Sequence, residues 1–335
     1  MILLWGIMGD GPLASIYKEI ERQKLAVFFL DQQAVLETKF ELYVERGVKG
    51  LLKTRSDVVK LEEITSAYIR PYESSRLRAV KQPGKDRSAL YHALGLEDGL
   101  VSWCEVTPAF VINRPSSMAS NNSKPYQAML IRSLGINVPD TLVTTDVEAA
   151  LAFWEKHGSV IFKSVSGIRS IVSRLTDEHR FAFQDIANCP TQFQEYIAGN
   201  DYRVHVVGDE IFASEICSIA DDYRYAGKQG VDIDIHPYSL PQEIAERCMS
   251  LAISLGLPVA GIDLRRTPAG EWYCFEVNPS PGFTFYQEAT GQPINKAIVH
   301  LLARGCNLDP VENLRTSGIQ QFSRDGAQLF LGTRS

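Results

Sequence analysis

Asp263 and the run Glu276-Val277-Asn278-Pro279 carry the strongest chemistry in the sequence. Residues two apart in an extended strand share a face, so Glu276 and Asn278 project together while Val277 points into the opposite layer. Val259 to Leu264 and Trp272 to Val277 read as a hairpin, and a two-residue turn at Ala269-Gly270 sets Asp263 directly across from Glu276. Two carboxylates and an amide oxygen then converge, a hard oxygen set of the kind that holds Mg²⁺ together with substrate phosphates. A surface Asp and Glu that merely face each other would share this spacing. The apolar neighbours Val259, Ile262, Phe275 and Val277 argue instead for an interior sheet, where carboxylates without a cation are costly. Lys163, inside the apolar strand Val160 to Val165, either meets an anion such as a phosphate or snorkels from a sheet edge. The small, polar segment from Ser164 to Ser170 is able to fold over phosphates, as it is to serve as a plain hairpin loop.

These residues need elements to position them. The apolar run Ile2 to Trp5, the glycines Gly6, Gly9 and Gly11, apolar positions at helical spacing from Leu13 to Ile20, and a second run from Ala26 to Leu30 predict a β-loop-α-β opening with parallel strands. The glycine spacing does not fit G-x-G-x-x-G, which sets a nicotinamide oxidoreductase aside. Alternating strands follow at Phe40 to Val44 and Val48 to Leu52, hinged at Arg46-Gly47, then near Val58 to Leu61, Ala67 to Ile69 and Ala109 to Asn113. A first boundary falls in the polar stretch Ser116 to Ser123. Beyond it the patterns predict a helix from Lys124 to Leu134 closed by Gly135, a strand at Thr141 to Val143, and a helix from Asp146, its N-cap, to His157 before Gly158. Hairpin strands at Phe193 to Ile197, Tyr202 to Val207 and Ile211 to Ile216 come next, with helices at Pro241 to Leu255 and Pro293 to Ala303.

Composition bounds the classes. A chain of 335 residues suggests two or three domains, and 45% hydrophobic with 22% charged residues is ordinary for a soluble globular protein. The 34 Lys and Arg against 40 Asp and Glu give a net charge of −6, which argues against a surface dedicated to nucleic acid or anionic membrane. No stretch approaches the ~20 apolar residues of a membrane span, and the N-terminal run lacks a basic leader, so the expected compartment is the cytoplasm. Six cysteines without a C-x-x-C pair read as reduced, mostly buried thiols.

The order Lys124, Lys163 with its Ser/Gly loop, Gln194-Glu195-Tyr196-Ile197, Asp201-Tyr202-Arg203, Asp263 and Glu276-Val277-Asn278-Pro279 resembles the ATP-grasp carboxylate ligases, in their RimK-like branch. The likeness runs from about Asn113 to Ala303. It implies an α/β chain with an ATP-grasp fold, two α+β lobes clasping ATP, preceded by an N-terminal α/β pre-ATP-grasp domain. The divisions are 1–116 for that domain, 117–192 for the small lobe, 193–306 for the large lobe with the metal site, and 307–335 for a C-terminal tail. By the same resemblance Lys124 and Lys163 touch the ATP phosphates, and Glu195 with the backbone of Tyr196 and Ile197 forms the adenine hinge. Asp201 meets the ribose, Asp263, Glu276 and Asn278 hold two Mg²⁺ ions with Mn²⁺ an expected substitute, Arg224 stands beside the γ-phosphate, and Arg203 holds a substrate carboxylate or phosphate.

The implied reaction is activation of a substrate carboxylate as an acyl phosphate with release of ADP, followed by attack of an amine. The substrates are small-molecule or peptide carboxylates and amines, and the resemblance implies pairing of chains through the first domain. A non-catalytic ATP-binding module on the same fold is the alternative. The loop after Lys163 has the single glycine Gly167 where many relatives have several, which departs from the family's tight closure on the phosphates; Tyr225 to Gly230 lacks the Ser-Asn pattern of the protein-modifying members, so acceptor specificity does not transfer.

Overall fold

A computed structural model describes residues 1–45, 47–81, 87–164, 172–217 and 233–305. Arg224 and the stretch after it, the loop at 165–171, Cys306 and the tail from 307 lie outside those residues.

The opening forms as its periodicity predicts. Strand β1 (Ile2–Gly6) is buried throughout, α1 (Gly11–Arg22) is capped by Asp10, and β2 (Val27–Asp31) runs parallel to β1. Strands β3 (Lys39–Val44), β4 (Val48–Lys53) and β5 (Val58–Lys60) form a separate antiparallel sheet. The chain then returns through β6 (Ser66–Arg70), α2 (Ser88–Val106) and β7 (Phe110–Ile112) to complete a parallel sheet in the order β2-β1-β6-β7. Alternation along β1 divides two cores: Leu3 and Trp5 face Trp103 of α2, while Ile2 and Leu4 face Ile16 of α1.

After α3 (Pro115–Met118) and α4 (Lys124–Ser133), a second sheet is built from β8 (Thr141–Thr144), β9 (Val160–Ser164), β10 (Ser173–Arg174) and β11 (Thr191–Glu195), in the order β10-β9-β11-β8. Helix α5 (Val147–His157) covers one face, with Ala150, Val160 and Phe193 in its core. Asp146 caps α5 by accepting from the Glu148 N–H at 2.9 Å, and Gly158 leaves the helix at φ +67, a conformation that favours glycine.

The third sheet carries most of the chemistry. It comprises β12 (Asn200–Val207), β13 (Glu210–Cys217), β14 (Asp234–Tyr238), β15 (Val259–Arg266) and β16 (Trp272–Asn278), all antiparallel, in the order β14-β13-β12-β15-β16. Between β14 and β15 the chain forms α6 (Gln242–Ser254), which packs Ile244, Cys248 and Leu251 with Ile131 of α4 against Val204, Ile262 and Val277. Helices α7 (Thr284–Thr290) and α8 (Ile294–Gly305) follow, and α8 shares a core with Ile2, Leu4 and Ile112 of the parallel sheet. Strand β14 was not legible, because Asp234, His236 and Pro237 break any alternation; as an edge strand it tolerates a proline that cannot donate.

One hairpin differs from expectation. Its loop is the five residues Thr267 to Glu271 rather than a two-residue turn, with Gly270 at φ +90. That loop pairs Leu264 with Cys274, a register that would leave Asp263 opposite Phe275. A bulge between Asp263 and Leu264 shifts the pairing by one residue, so Asp263 faces Glu276 after all.

Cys104, Cys248 and Cys274 are buried, and burial pushes the thiols of Cys104 and Cys248 up to about 12. Cys189 and Cys217 are exposed, so burial holds for only part of the set expected to be inside. Among the described residues no helix is long and apolar enough to cross a membrane.

Candidate functional site

Alternation in the third sheet separates a core face from a charged one. Tyr202, Val204, Ile262, Leu264 and Val277 point into the core, which leaves Asp201, Arg203 and His205 of β12, Gly261, Asp263 and Arg265 of β15, and Glu276 and Asn278 of β16 on the other face. Register aligns Arg203, Asp263 and Glu276 in one row across three strands. Arg203 forms a hydrogen-bonded ion pair with Asp263 through Nη1 and Oδ1. At the outer end, Lys124 Nζ donates to Glu276 Oε2 at 2.7 Å and to Asn121 Oδ1 at 3.1 Å. Two residues along the strands, Arg265 grips Asp201 with Nε at 2.7 Å and Nη2 at 2.8 Å. Each acidic residue singled out on this face therefore stands beside a basic side chain, as expected where carboxylates are only 18–24% exposed.

The row is fixed from both sides. Gln127, one turn after Lys124 on α4 and 1% exposed, accepts from the Val277 N–H at 2.9 Å and donates to the Val277 carbonyl at 2.8 Å. Its amide thereby satisfies the outer edge of β16 between Glu276 and Asn278. Asn113, at the end of the parallel sheet, donates to the carbonyls of Val259 at 2.7 Å and Pro279 at 2.5 Å. Arg70 holds Asp10 at 2.7 Å and donates to Ser280 Oγ at 2.9 Å and the Pro281 carbonyl at 3.1 Å. Gly261 leaves room for the Arg203 guanidinium, since a Cβ there would lie 2.4 Å from Nη2.

Across the cleft, Lys163 pairs in register with Gln192 on the face of the second sheet turned away from α5. Lys124, Lys163, Gln192, Gln194 and Phe275 line one cavity of ≈ 530 Å³. The bulge is what brings Phe275 to it, because it places two consecutive residues on the same side. The carboxylate of Glu195 points the other way, accepting from the Asp140 N–H at 3.2 Å on the α5 side. The Tyr196 N–H donates to the Ser159 carbonyl at 3.0 Å, and the Ile197 carbonyl accepts from Arg265 Nη1 at 2.8 Å. The structure thus gathers Lys124, Arg203, Asp263, Glu276 and Asn278 in one patch, sets Lys163 on the same cavity as Lys124, and ties Ile197 to Asp201 through Arg265. Gln127, Arg70 and Asn113 carried no sequence signal, whereas Arg265 lies two residues from Asp263 and was legible as its neighbour on that face.

His205 is fully buried, donates through Nε2 to the Gly282 carbonyl at 3.3 Å, and packs edge-on against Tyr286. Burial, reinforced by the Arg203 charge, pulls its pKa down to about 3 from 6.5. Between those values the unfolded chain binds more protons than the folded one, so stability is full above about pH 6.5 and is lost as pH falls toward about 3. The expected slope is up to about 1.4 kcal/mol per pH unit in that window. Urea unfolding of wild type and His205→Gln from pH 4 to 8 checks this: the variant should lack that slope, and parallel curves would disprove the assignment.

Comparison with known proteins bears on this arrangement. Residues 119–302 match the family model described as the RimK-like ATP-grasp domain. The ribosomal protein bS6–L-glutamate ligase of Salmonella paratyphi B (strain ATCC BAA-1250 / SPB7) is 28% identical over 211 residues, 60% of this chain and 69% of that one. A RiPP-associated ATP-grasp ligase of Chryseobacterium gregarium, solved with ADP and a leader and core peptide, superposes with a TM-score of 0.77 at 23% identity, over 90% of this chain and 96% of that one. The ATP-grasp ligase PsnB, solved with a phosphomimetic variant of a minimal precursor, Mg and ADP, gives 0.73 at 22% identity, over 91% and 98%. At these identities the structural likeness establishes the fold, with the N-terminal α/β unit included.

Proposed function

Because the chain belongs to the RimK-like ATP-grasp family, we propose that it is an ATP-dependent, ADP-forming ligase that joins a carboxylate to an amine on a peptide. The observation that carries this reading is the row Arg203, Asp263, Glu276, Lys124, with Asn278 beside it. Two carboxylates and an amide oxygen on adjacent strands are hard oxygen donors that fit Mg²⁺. Asp263, Glu276 and Asn278 would hold the metal, in a count of two and with Mn²⁺ as a substitute. Bound there, it neutralises charge on the transferring phosphoryl group.

The chain's own residues do the remaining work. Lys124 and Lys163, on the walls of the ≈ 530 Å³ cavity, draw the phosphates of ATP between the two sheets. The Glu195, Tyr196 and Ile197 segment borders adenine, and Asp201, held by Arg265, meets the ribose. Arg203, together with Arg224, neutralises the substrate carboxylate and the γ-phosphate. A carboxylate oxygen attacks the γ-phosphorus in line and the bond to the ADP oxygen breaks. The amine nitrogen then attacks the acyl carbon, the C–O bond to phosphate breaks, and the nitrogen loses its proton. No protein nucleophile is needed, because positioning and charge neutralisation supply the catalysis. The peptide substrate is supported by the peptides bound to the structural neighbours. The divisions at 116, 192 and 306, pairing through the N-terminal domain and a cytoplasmic location belong to the same proposal.

The test is isothermal titration with a non-hydrolysable ATP analogue, in Mg²⁺ and in EDTA, with Asp263→Asn as control. We expect Mg²⁺-dependent binding that the variant loses, followed by ADP release when acidic peptides and amines are supplied. An absence of nucleotide binding would overturn the reading.

A further inference from the structure

A second cluster lies beside the cavity that holds Lys163, with Asp140 bordering both that cavity and a smaller one next to it. It joins Asp140, just before β8, His157, the last residue of α5, and Glu195, the last of β11. The His157 ring is 9% exposed and packs at a tilt against Phe153, with ring centroids 4.5 Å apart, and its buried Nε2 has no hydrogen-bond partner. That nitrogen stands 3.6 Å from Asp140 Oδ2, while Nδ1 is 4.0 Å from Glu195 Oε1. Both separations are too long for hydrogen bonds. One ring nitrogen alone ligates a given ion, and the Nε2–Oδ2 separation approaches the ~3.4 Å between two ligands of a tetrahedral ion with bonds of about 2.0–2.2 Å. One ligand atom from each residue lies within 4.8 Å of the others.

We propose that Asp140, His157 and Glu195 form a site for one transition-metal dication of the Zn²⁺ class, separate from the Asp263, Glu276 and Asn278 set. An imidazole with two carboxylates selects such an ion over Mg²⁺, which prefers oxygen ligands alone. Asp140 offers Oδ2, 3.6 Å from His157 Nε2, as its ligand atom. Lys156 Nζ is 3.1 Å from Asp140 Oδ2 and its side chain is 65% exposed, so it can swing into solvent when the ion arrives. Arg132, at 3.6 Å, contacts Oδ1 and leaves Oδ2 to the metal. A cavity of ≈ 380 Å³, bordered by Asn137, Tyr273 and the three ligands, admits water as a fourth ligand. The ion would fasten the end of α5 to the end of β11, where the segment Glu195 to Ile197 begins. The proposal does not depend on the ligase reading.

The test uses the full chain, stripped of metal and kept in excess Mg²⁺. Zn²⁺ is titrated against a chromophoric chelator, and Co²⁺ serves as the spectroscopic probe. One ion per chain should bind, and Co²⁺ should give visible d–d bands without the thiolate charge-transfer band that Cys189 or Cys217 would produce. His157→Gln and Glu195→Gln should each weaken binding at least ~10-fold, while Glu276→Gln binds Zn²⁺ as wild type does. Should His157→Gln fail to fold, Glu195→Gln, whose amide still accepts from the Asp140 N–H, decides alone. Wild-type affinity in the folded ligand variants, no Zn²⁺ uptake, or a thiolate spectrum would overturn the site.

Discussion

Replacing Glu276 by glutamine is expected to lower kcat/KM for ATP by about 10³-fold or more, read as ADP release. Glutamine keeps the size and one acceptor oxygen, so the β15–β16 pairing and the contact with Lys124 survive. What goes is one unit of negative charge directly across from Asp263. The loss should fall mainly on kcat, because a cation held by Glu276 would contribute more as charge develops on the transferring phosphoryl group than in the ground state. Excess Mg²⁺ should recover part of it if binding of the ion is the deficit. The exposure of Glu276, 24%, leaves little reason for instability, so melting should stay near that of wild type. Kinetics like the wild type would remove the metal assignment from this face.

Gln127→Leu should produce the largest structural effect of any single change to the site. The side chain is apolar and similar in size, so the cavity term is small. The cost is two buried backbone groups of Val277 left without partners, at about 1–3 kcal/mol each. A loss of ~2–6 kcal/mol in urea unfolding follows, together with weaker Mg²⁺-dependent nucleotide binding, because Glu276 and Asn278 flank the released residue. Gln127→Glu discriminates the cause. Its carboxylate still accepts from the Val277 N–H but repels the carbonyl, so it should fall between wild type and the leucine variant. Equal stability in all three proteins would mean that the clamp contributes nothing.

Much of the site was written in residue types and in the period-2 alternation of strands. Lys163, Asp263, Glu276 and Asn278 were singled out from their chemistry and Lys124 from the family resemblance; the structure joins Lys124 to Glu276, sets Glu276 across from Asp263, and puts Lys124 and Lys163 on one cavity. The reason for the Asp263 to Glu276 pairing was misjudged. A tight turn was expected, whereas a longer loop and a compensating bulge produce the same register. Loop length and bulges depend on how the sheet twists and packs, which local propensity does not encode.

The sequence by itself determined which face of the alternating strands is apolar, where helices such as α4, α5, α6 and α8 run, and which oxygen and nitrogen donors share a strand face, because those properties follow from periods of 2 and 3.6 along the chain. Tertiary structure alone decided the partners. Gln127 meets Val277 across 150 residues, Arg70 reaches Ser280 across 210, and the Glu195 carboxylate turns from the cavity toward His157. Such pairings depend on strand order and lobe packing, where contacts distant in sequence must overcome the entropy of closing long loops, and no local pattern specifies which of them will form.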